Sequence, residues 1–268
     1  MNDFKFSHAL GQNFILDPAI IRRLADAACV EAGQNILEIG PGSGSLTAEM
    51  LDRGAKVAAI EADERLREPL KIRLGREDVV HFADAMKVDF DKFVAERFGG
   101  EPFRVVANLP YYIAIDVVRR FFRMENKPTD IVVMVQKECA QRLMAPMGCK
   151  EYAAASAECQ YFGVCRSLLD LPPEAFTPRP HVYSTLMRIS RRPFPEAARD
   201  EDMMRRVIGA AFAMRRKTLL NNLTKSFSVG RDVAAGWMEN AGLSLDVRGE
   251  AVPLEGLARL ADSISRHA

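Results

Sequence analysis

The sequence has little of what marks several large functional classes. No stretch approaches the roughly 18–20 consecutive apolar residues that a membrane-spanning helix needs. Met1 to His8 lacks the basic head and apolar stretch of a secretory signal. The five cysteines (Cys29, Cys139, Cys149, Cys159 and Cys165) are scattered and odd in number, and no close pair has metal-ligand spacing. That pattern argues against a disulfide framework and for reduced thiols in a cytoplasmic protein. His8 and His81 give no reason to invoke a metal. Strong net charge is also missing: 37 Lys and Arg against 36 Asp and Glu leave +1. The distribution is mildly uneven. Residues 191–268 hold 13 basic against 10 acidic side chains (+3), and the remainder 24 against 26 (−2). Total charge alone therefore neither requires nor excludes a nucleic-acid partner. No internal repeat is visible, and nothing signals an oligomer, so a monomer is the default.

What is present is an ordinary globular composition. A chain of 268 residues with 48% hydrophobic content can build one sizeable core, or one core and a small appendage. From Gln34 to Ser190, short β-rich runs alternate with helical stretches, which predicts an α/β domain with a mostly parallel sheet. Strands are expected at 35–39, 56–60, 79–83, 104–107 and 131–135, with two more near 161–169 and 182–189. Ahead of them, Asp17 and Pro18 read as the N-cap and first residue of a helix reaching Ala28. Arg191-Arg192-Pro193-Phe194-Pro195 reads as a linker. Beyond it, Ile208, Phe212 and Leu219, then Leu243, Leu245, Leu254, Leu257 and Leu260, predict a small helical domain. The expected division is 1–192 and 193–268.

Three successive strand ends carry chemistry. Glu38-Ile39-Gly40-Pro41-Gly42-Ser43-Gly44 lies between a strand and a helix, where glycines let the backbone approach a ligand. Glu61 ends the next strand, about twenty residues on, where a carboxylate can accept from two ribose hydroxyls. Asp84 ends the third strand, placed to accept from an adenine amino group. Ligands of open α/β sheets bind beyond the carboxyl ends of the strands. Together these residues fit an adenosine-bearing ligand, and a nicotinamide dinucleotide stays open at this point.

Asn108-Leu109-Pro110-Tyr111 follows the fourth strand. The exocyclic amine of adenine is a poor nucleophile, because its lone pair is delocalised into the ring. Two acceptors aimed at its hydrogens pull the nitrogen toward tetrahedral geometry and expose that lone pair. The Asn108 side-chain oxygen is one acceptor, and the Leu109 carbonyl is the natural second. Pro110 biases Leu109 toward an extended conformation. Tyr111 can stack on a base. A dehydrogenase would instead need a proton-transferring group beside the nicotinamide, and it leaves Asn108 unexplained.

With these motifs in this order, the chain strongly resembles the ribosomal RNA adenine N6,N6-dimethyltransferase family, most of all its small-subunit branch. Leu10-Gly11-Gln12-Asn13-Phe14 matches the family's N-terminal motif, Glu38 to Gly44 its glycine loop, and Asn108 to Ile113 its catalytic loop. Phe176-Thr177-Pro178-Arg179-Pro180 matches a Phe-x-Pro-x-Pro motif. Ala211 to Leu219 and Asn221 to Leu223 match the start of its C-terminal domain.

The resemblance implies a Rossmann-like class I S-adenosylmethionine-dependent methyltransferase, with a seven-stranded mostly parallel sheet and a small C-terminal α-helical domain. It implies S-adenosylmethionine as cofactor, held by Gln12, Asn13, Ile15, Gly40, Gly42, Glu61, Ala62, Asp84, Ala85 and Asn108. Gly40 would lie against the methionine part, Glu61 on the ribose and Asp84 near the adenine, with Ala85 and Met86 flanking that ring. Asn108, Leu109, Pro110, Tyr111 and Phe176 would form the catalytic set, with Tyr111 and Phe176 sandwiching an extruded base. For Phe176, a core aromatic before a proline turn is the other place the sequence allows. The implied partner is 16S rRNA within the small ribosomal subunit, dimethylated on two adjacent adenosines of its 3′-terminal hairpin.

The chain departs from the family where a basic residue often precedes the Gly-Gln-Asn-Phe motif, here Ala9 and Leu10. His181 and Tyr183 stand where Lys and Asp are common. Lys5, Arg179, Arg215, Arg216, Lys217 and Lys225 are candidates for phosphate contacts. Two other functions compete: a large-subunit (23S) rRNA adenine N6-methyltransferase conferring macrolide resistance, and a non-catalytic RNA-binding assembly factor. The Asn-Leu-Pro-Tyr form, and a long helix expected over the Arg-Arg-Lys-Thr run, favour the small-subunit enzyme.

Overall fold

The computed structural model describes residues 12–266; Lys5, His8, Ala9, Leu10 and Gly11, singled out above, lie outside the described residues. The first element is helix α1 (Pro18–Ala27). Asp17 caps it by accepting from the Ala19 amide at 2.8 Å, and Pro18 opens its first turn.

Seven strands follow: β1 (Asn35–Ile39), β2 (Lys56–Glu61), β3 (Val80–Phe82), β4 (Phe103–Asn108), β5 (Asp130–Gln136), β6 (Gly163–Leu171) and β7 (Ser184–Arg191). They form one sheet in the order β3-β2-β1-β4-β5-β7-β6. The pairs β1/β2, β1/β4, β2/β3 and β4/β5 are parallel, and β5/β7 is antiparallel. Helices α2 (Ser45–Asp52), α3 (Arg67–Leu74), α4 (Phe90–Phe98), α5 (Ala114–Phe122) and α6 (Lys137–Met144) alternate with the strands. Every residue of β1 is buried. Its apolar residues, Ile36, Leu37 and Ile39, suit a central parallel strand covered on both faces, and Asn35 and Glu38 are the two buried polar residues in it. The seven-stranded, mostly parallel sheet expected from the sequence is therefore present.

The remaining helices are α7 (Ala154–Phe162), α8 (Glu201–Ala211), α9 (Leu219–Phe227), α10 (Arg231–Asn240) and α11 (Leu254–Ser265). The chain divides into two compact units. Residues up to Ala140 together with Cys165–Arg191 form one, and Gln141–Val164 together with the chain from Arg192 onward form the other. The second unit thus takes in a segment that precedes the Arg191–Pro195 linker. Its core combines Tyr152 and Ala157 with Met204, Ile208, Leu220, Leu257 and Leu260. Among the described residues, no helix is long and apolar enough to cross a membrane.

Two local expectations are corrected. Tyr161 and Phe162 end a helix instead of opening a strand. The Tyr161 hydroxyl accepts from the Ala198 amide at 3.0 Å, and its ring lies 5.1 Å from that of Phe194, which holds it in the helical unit. Arg215–Lys217 lies in a turn, not in a long helix. Asn222, fully buried, donates from Nδ2 to the carbonyls of Ala211 (3.2 Å) and Met214 (3.4 Å), and Thr218 caps α9, so α8 stops and α9 begins on either side of the basic run.

Gly249 packs directly on the end of α8. A Cβ built on it would stand 2.0 Å from the Ala211 carbonyl oxygen, a backbone atom that cannot swing aside. Gly249→Ala should lower unfolding stability by roughly 1–3 kcal/mol or more, read by denaturant titration. An unchanged midpoint would mean that this approach is looser than described.

Candidate active site

The strand order reverses between β1 and β4, with β2 and β3 on one side of β1 and the other strands beyond β4. Loops leaving two such neighbours diverge and open a crevice at their carboxyl ends. A cavity sits there. Gln12, Asn13, Ile15, Gly40, Gly42, Glu61, Ala62, Asp84, Ala85, Asn108, Leu109, Pro110 and Tyr111 all line it, with Glu38, Phe14 and Tyr112 among the others.

Phe176 does not line the cavity. It is 3% exposed and belongs to an apolar cluster with Ile15, Ile21, Leu24 and Leu186. It holds the core place that the sequence also allowed. The next residue, Thr177, exchanges two backbone hydrogen bonds of 2.8 Å with Phe14. A sandwich of a base between Tyr111 and Phe176 would require Phe176 to leave this core.

That bridge anchors a strap, residues 12–15, along the cavity. Gln12 donates from Nε2 to Asp63 Oδ2 at 2.7 Å, and the carbonyl of Asn13 accepts from Asn108 Nδ2 at 2.9 Å. The Phe14 ring explains one glycine. A Cβ on Gly42, whose φ is +55°, would lie 2.8 Å from Phe14 Cε1. The glycine loop is thus shaped by the strap pressed against it as well as by its own turn.

Two carboxylates end β1 and β2 inside this cavity. Glu61 is buried. Its Oε2 accepts from the Gly42 amide at 3.1 Å and its Oε1 from the Asp63 amide at 2.9 Å. Each oxygen keeps a second lone pair, a pattern that suits two adjacent hydroxyl donors. Burial pushes its pKa up, against the pull of the backbone amides. Glu38 is more perturbed. It is 1% exposed, its Oε2 accepts from the Thr47 hydroxyl at 2.6 Å, and burial raises its carboxyl to about 8, with the nearby Glu61 adding to the rise. In an apolar cavity the neutral acid is the cheaper form. Asp84, by contrast, is exposed. Its Oδ1 accepts from the Met86 amide at 2.9 Å, which turns the loop after β3.

Asn108 ends β4. Because its Nδ2 is spent on Asn13, its Oδ1 is the acceptor left for a ligand. Leu109 is fixed alongside, its amide donating to the Met134 carbonyl at 3.2 Å. The Tyr111 hydroxyl lies 2.7 Å from that of Ser184, the fully buried first residue of β7, so its ring is tied to the sheet. Tyr112 stands 57% exposed at the cavity. Among the described residues, no group of three or more His, Cys, Asp or Glu could hold a metal ion.

Of the candidate phosphate contacts, Arg179 pairs with Glu174. Arg215 pairs with Glu250 at 2.9 Å and donates to the Lys150 carbonyl. Arg216, Lys217 and Lys225 are exposed.

The family model for ribosomal RNA adenine dimethylase matches residues 3–262. This chain belongs to the ribosomal RNA adenine dimethylase family. It is similar to a ribosomal RNA small subunit methyltransferase A of Alkaliphilus metalliredigens, with 37% identity covering 98% of this chain and 93% of that one. The corresponding protein of Clostridioides difficile is 38% identical, covering 98% and 92%. Among solved structures, a dimethyladenosine transferase from Plasmodium falciparum superposes with a TM-score of 0.72 at 21% identity, covering 92% of this chain and 95% of that one. The 23S rRNA methyltransferase ErmE gives 0.65 at 22%, covering 94% and 100%. At such identities the two structures speak for the fold. The dimethylase is an enzyme family, and its class I fold is the one found here.

Sequence reasoning read Glu38 only as the start of the glycine loop. The available signal was a carboxylate between Leu37 and Ile39 in a strand that is buried throughout. Phe14 and Ser184 carried no such signal, since their importance depends on neighbours distant in the chain.

Glu38 makes stability depend on pH. Its folded pKa of about 8 lies above the ordinary value of 4.5, so the folded protein keeps a proton that the unfolded chain releases. Stability should therefore fall as pH rises from about 4.5 to about 8, at up to roughly 1.4 kcal/mol per unit, and level off above. Denaturant titrations of the wild type and of Glu38→Gln across that window test this. The variant should lose most of the slope; an identical slope would mean that Glu38 is ionised throughout.

Proposed function

We propose that this dimethylase transfers methyl groups from S-adenosylmethionine to N6 of two adjacent adenosines in the 3′-terminal hairpin of 16S rRNA, within the small ribosomal subunit, giving N6,N6-dimethyladenosine. Its relatives named as small subunit methyltransferases support the choice of substrate. The single observation that carries the chemistry is the Asn108 amide, which lines the cavity and is oriented by its Nδ2 bond to Asn13, so that its oxygen is the acceptor available to an amine.

The cavity's donor and acceptor set fits the cofactor. Glu61 suits the vicinal hydroxyls of a ribose. Asp84 Oδ1 is used by the Met86 amide, and Oδ2, 3.8 Å from Lys87 Nζ, has lone pairs left to accept from an adenine amine. Glu38 offers a carboxyl that regains its charge beside a cation such as an α-ammonium group. When bound, S-adenosylmethionine supplies an electrophilic methyl on a sulfonium. The protein's own task is to present the amine. Asn108 Oδ1 and the Leu109 carbonyl accept from the two N6 hydrogens, and the lone pair is thereby directed outward. Tyr111 stacks on the extruded base, a contact worth roughly 1–3 kcal/mol, with its ring orientation set by Ser184. No strong base is needed, because the proton leaves N6 after attack, to water or to the site's oxygens, as the neutral thioether departs, and positioning does most of the work.

Labelled S-adenosylmethionine incubated with undermethylated small subunits should place label in dimethyladenosine. Bare large-subunit RNA should stay unlabelled. Label in large-subunit RNA alone would assign the enzyme to the other substrate. Asn108→Ala should lower the transfer rate by at least about 10²–10³-fold while small-subunit binding persists. Loss of binding together with transfer would make the loop structural instead of catalytic.

A further inference from the structure

Arg120 lies on α5, the helix that follows the Asn108–Tyr111 loop, yet its side chain serves a different part of the site. Its guanidinium donates from Nη1 to the Ala85 carbonyl at 2.5 Å and from Nη2 to the Val88 carbonyl at 2.5 Å. These two acceptors belong to the loop after β3. Asp84 and Ala85 of that loop line the cavity. The same guanidinium lies 4.5 Å from the centre of the Phe90 ring, which stacks on Phe121 at 5.0 Å. Arg120 is thus held flat between an aromatic face and two carbonyls.

The start of the loop is tied to β2, the Ala83 amide donating to the Glu61 carbonyl at 2.8 Å, and its turn is closed from within. The amides of Lys87 and Val88 donate to the Asp84 carbonyl, and the Met86 amide donates to Asp84 Oδ1. Asp84 is itself exposed. The Ala83 bond fixes the start of the loop to β2, and Arg120 fixes its later part, at Ala85 and Val88, against α5. The planar fork gives each carbonyl its own nitrogen at a fixed spacing; a lysine ammonium has donors enough but gathers them on one atom and does not reproduce that spacing.

We infer that Arg120 is a positioning residue, which sets the adenine-side loop of the cofactor site against the helix that carries the target-base loop. This inference rests on the proposed function of the cavity. Its consequence falls on cofactor binding more than on chemistry, because Asn108 is placed by Asn13 and the Leu109 amide by Met134, neither of which involves Arg120.

The test compares wild type, Arg120→Lys, Arg120→Ala and Arg123→Ala, reading KM and kcat for S-adenosylmethionine alongside thermal melting. Arg123 lines the same second cavity as Arg120 and controls for loss of one positive charge. The Lys variant, folded as judged by its melting, should raise KM by about tenfold with kcat within about twofold. Arg123→Ala should leave both unchanged. Millimolar guanidinium, supplied to Arg120→Ala, should recover part of the lost affinity. An unchanged KM in Arg120→Lys, or a fall in kcat alone, would overturn the inference. Absence of methyl transfer by the wild type would instead overturn the assignment of the cavity, and the inference with it.

Discussion

The site depends on one hydrogen bond between side chain and backbone. Asn108 has a donor end and an acceptor end, and which of them faces a ligand is decided by which is already used. The Asn13 carbonyl, 2.9 Å from Nδ2, takes the donor. The oxygen is the end without a hydrogen bond to the described residues, Asn108 and Leu109 both line the cavity, and under the proposed function an amine with two hydrogens is the guest that suits them. The opposite orientation would present a donor, and would favour a ring nitrogen or a carbonyl over an exocyclic amine. The residue that fixes this choice lies 95 positions away in the chain. It is itself held by the Phe14–Thr177 bridge and the Gln12–Asp63 contact. The strap therefore orients Asn108 as well as walling the cavity.

Around this acceptor the protein maintains an unusual electrostatic setting. Two carboxyl groups, Glu38 and Glu61, are buried, and the charge of Glu61 adds to the burial that disfavours ionisation of Glu38. Glu61 is given two backbone donors, whereas Glu38 is given one hydroxyl. The difference separates their roles. Glu61 is prepared as an acceptor, and Glu38 waits as a neutral acid whose charge a cationic ligand can call out. Burying Glu38 this way weakens the fold progressively as pH rises from about 4.5 to about 8, a cost often found at functional sites.

Much of this was legible in the sequence, for physical reasons that differ by element. The strands could be read because the central sheet is buried on both faces, so β1 and β5 appear as apolar runs. Their ends could be read because polar residues stop each run at the sheet edge: Glu61, Asp84 and Asn108 all reach the cavity. What stayed hidden depends on three-dimensional neighbours. Phe176 follows the same motif whether it faces a base or a core, and only its packing with Ile15 and Leu24 distinguishes them. The turn at Arg215–Lys217 depends on Asn222 reaching back to α8. The inclusion of Gln141–Val164 in the helical unit follows from contacts that no periodicity records.

A crystal structure with S-adenosylhomocysteine and an adenosine analogue bound addresses the central claim most directly. It should place N6 of the analogue within about 3.2 Å of both Asn108 Oδ1 and the Leu109 carbonyl oxygen, with Asn108 Nδ2 still on Asn13. An Asn108 amide turned away from the nucleoside, or an N6 held by other groups, would contradict it.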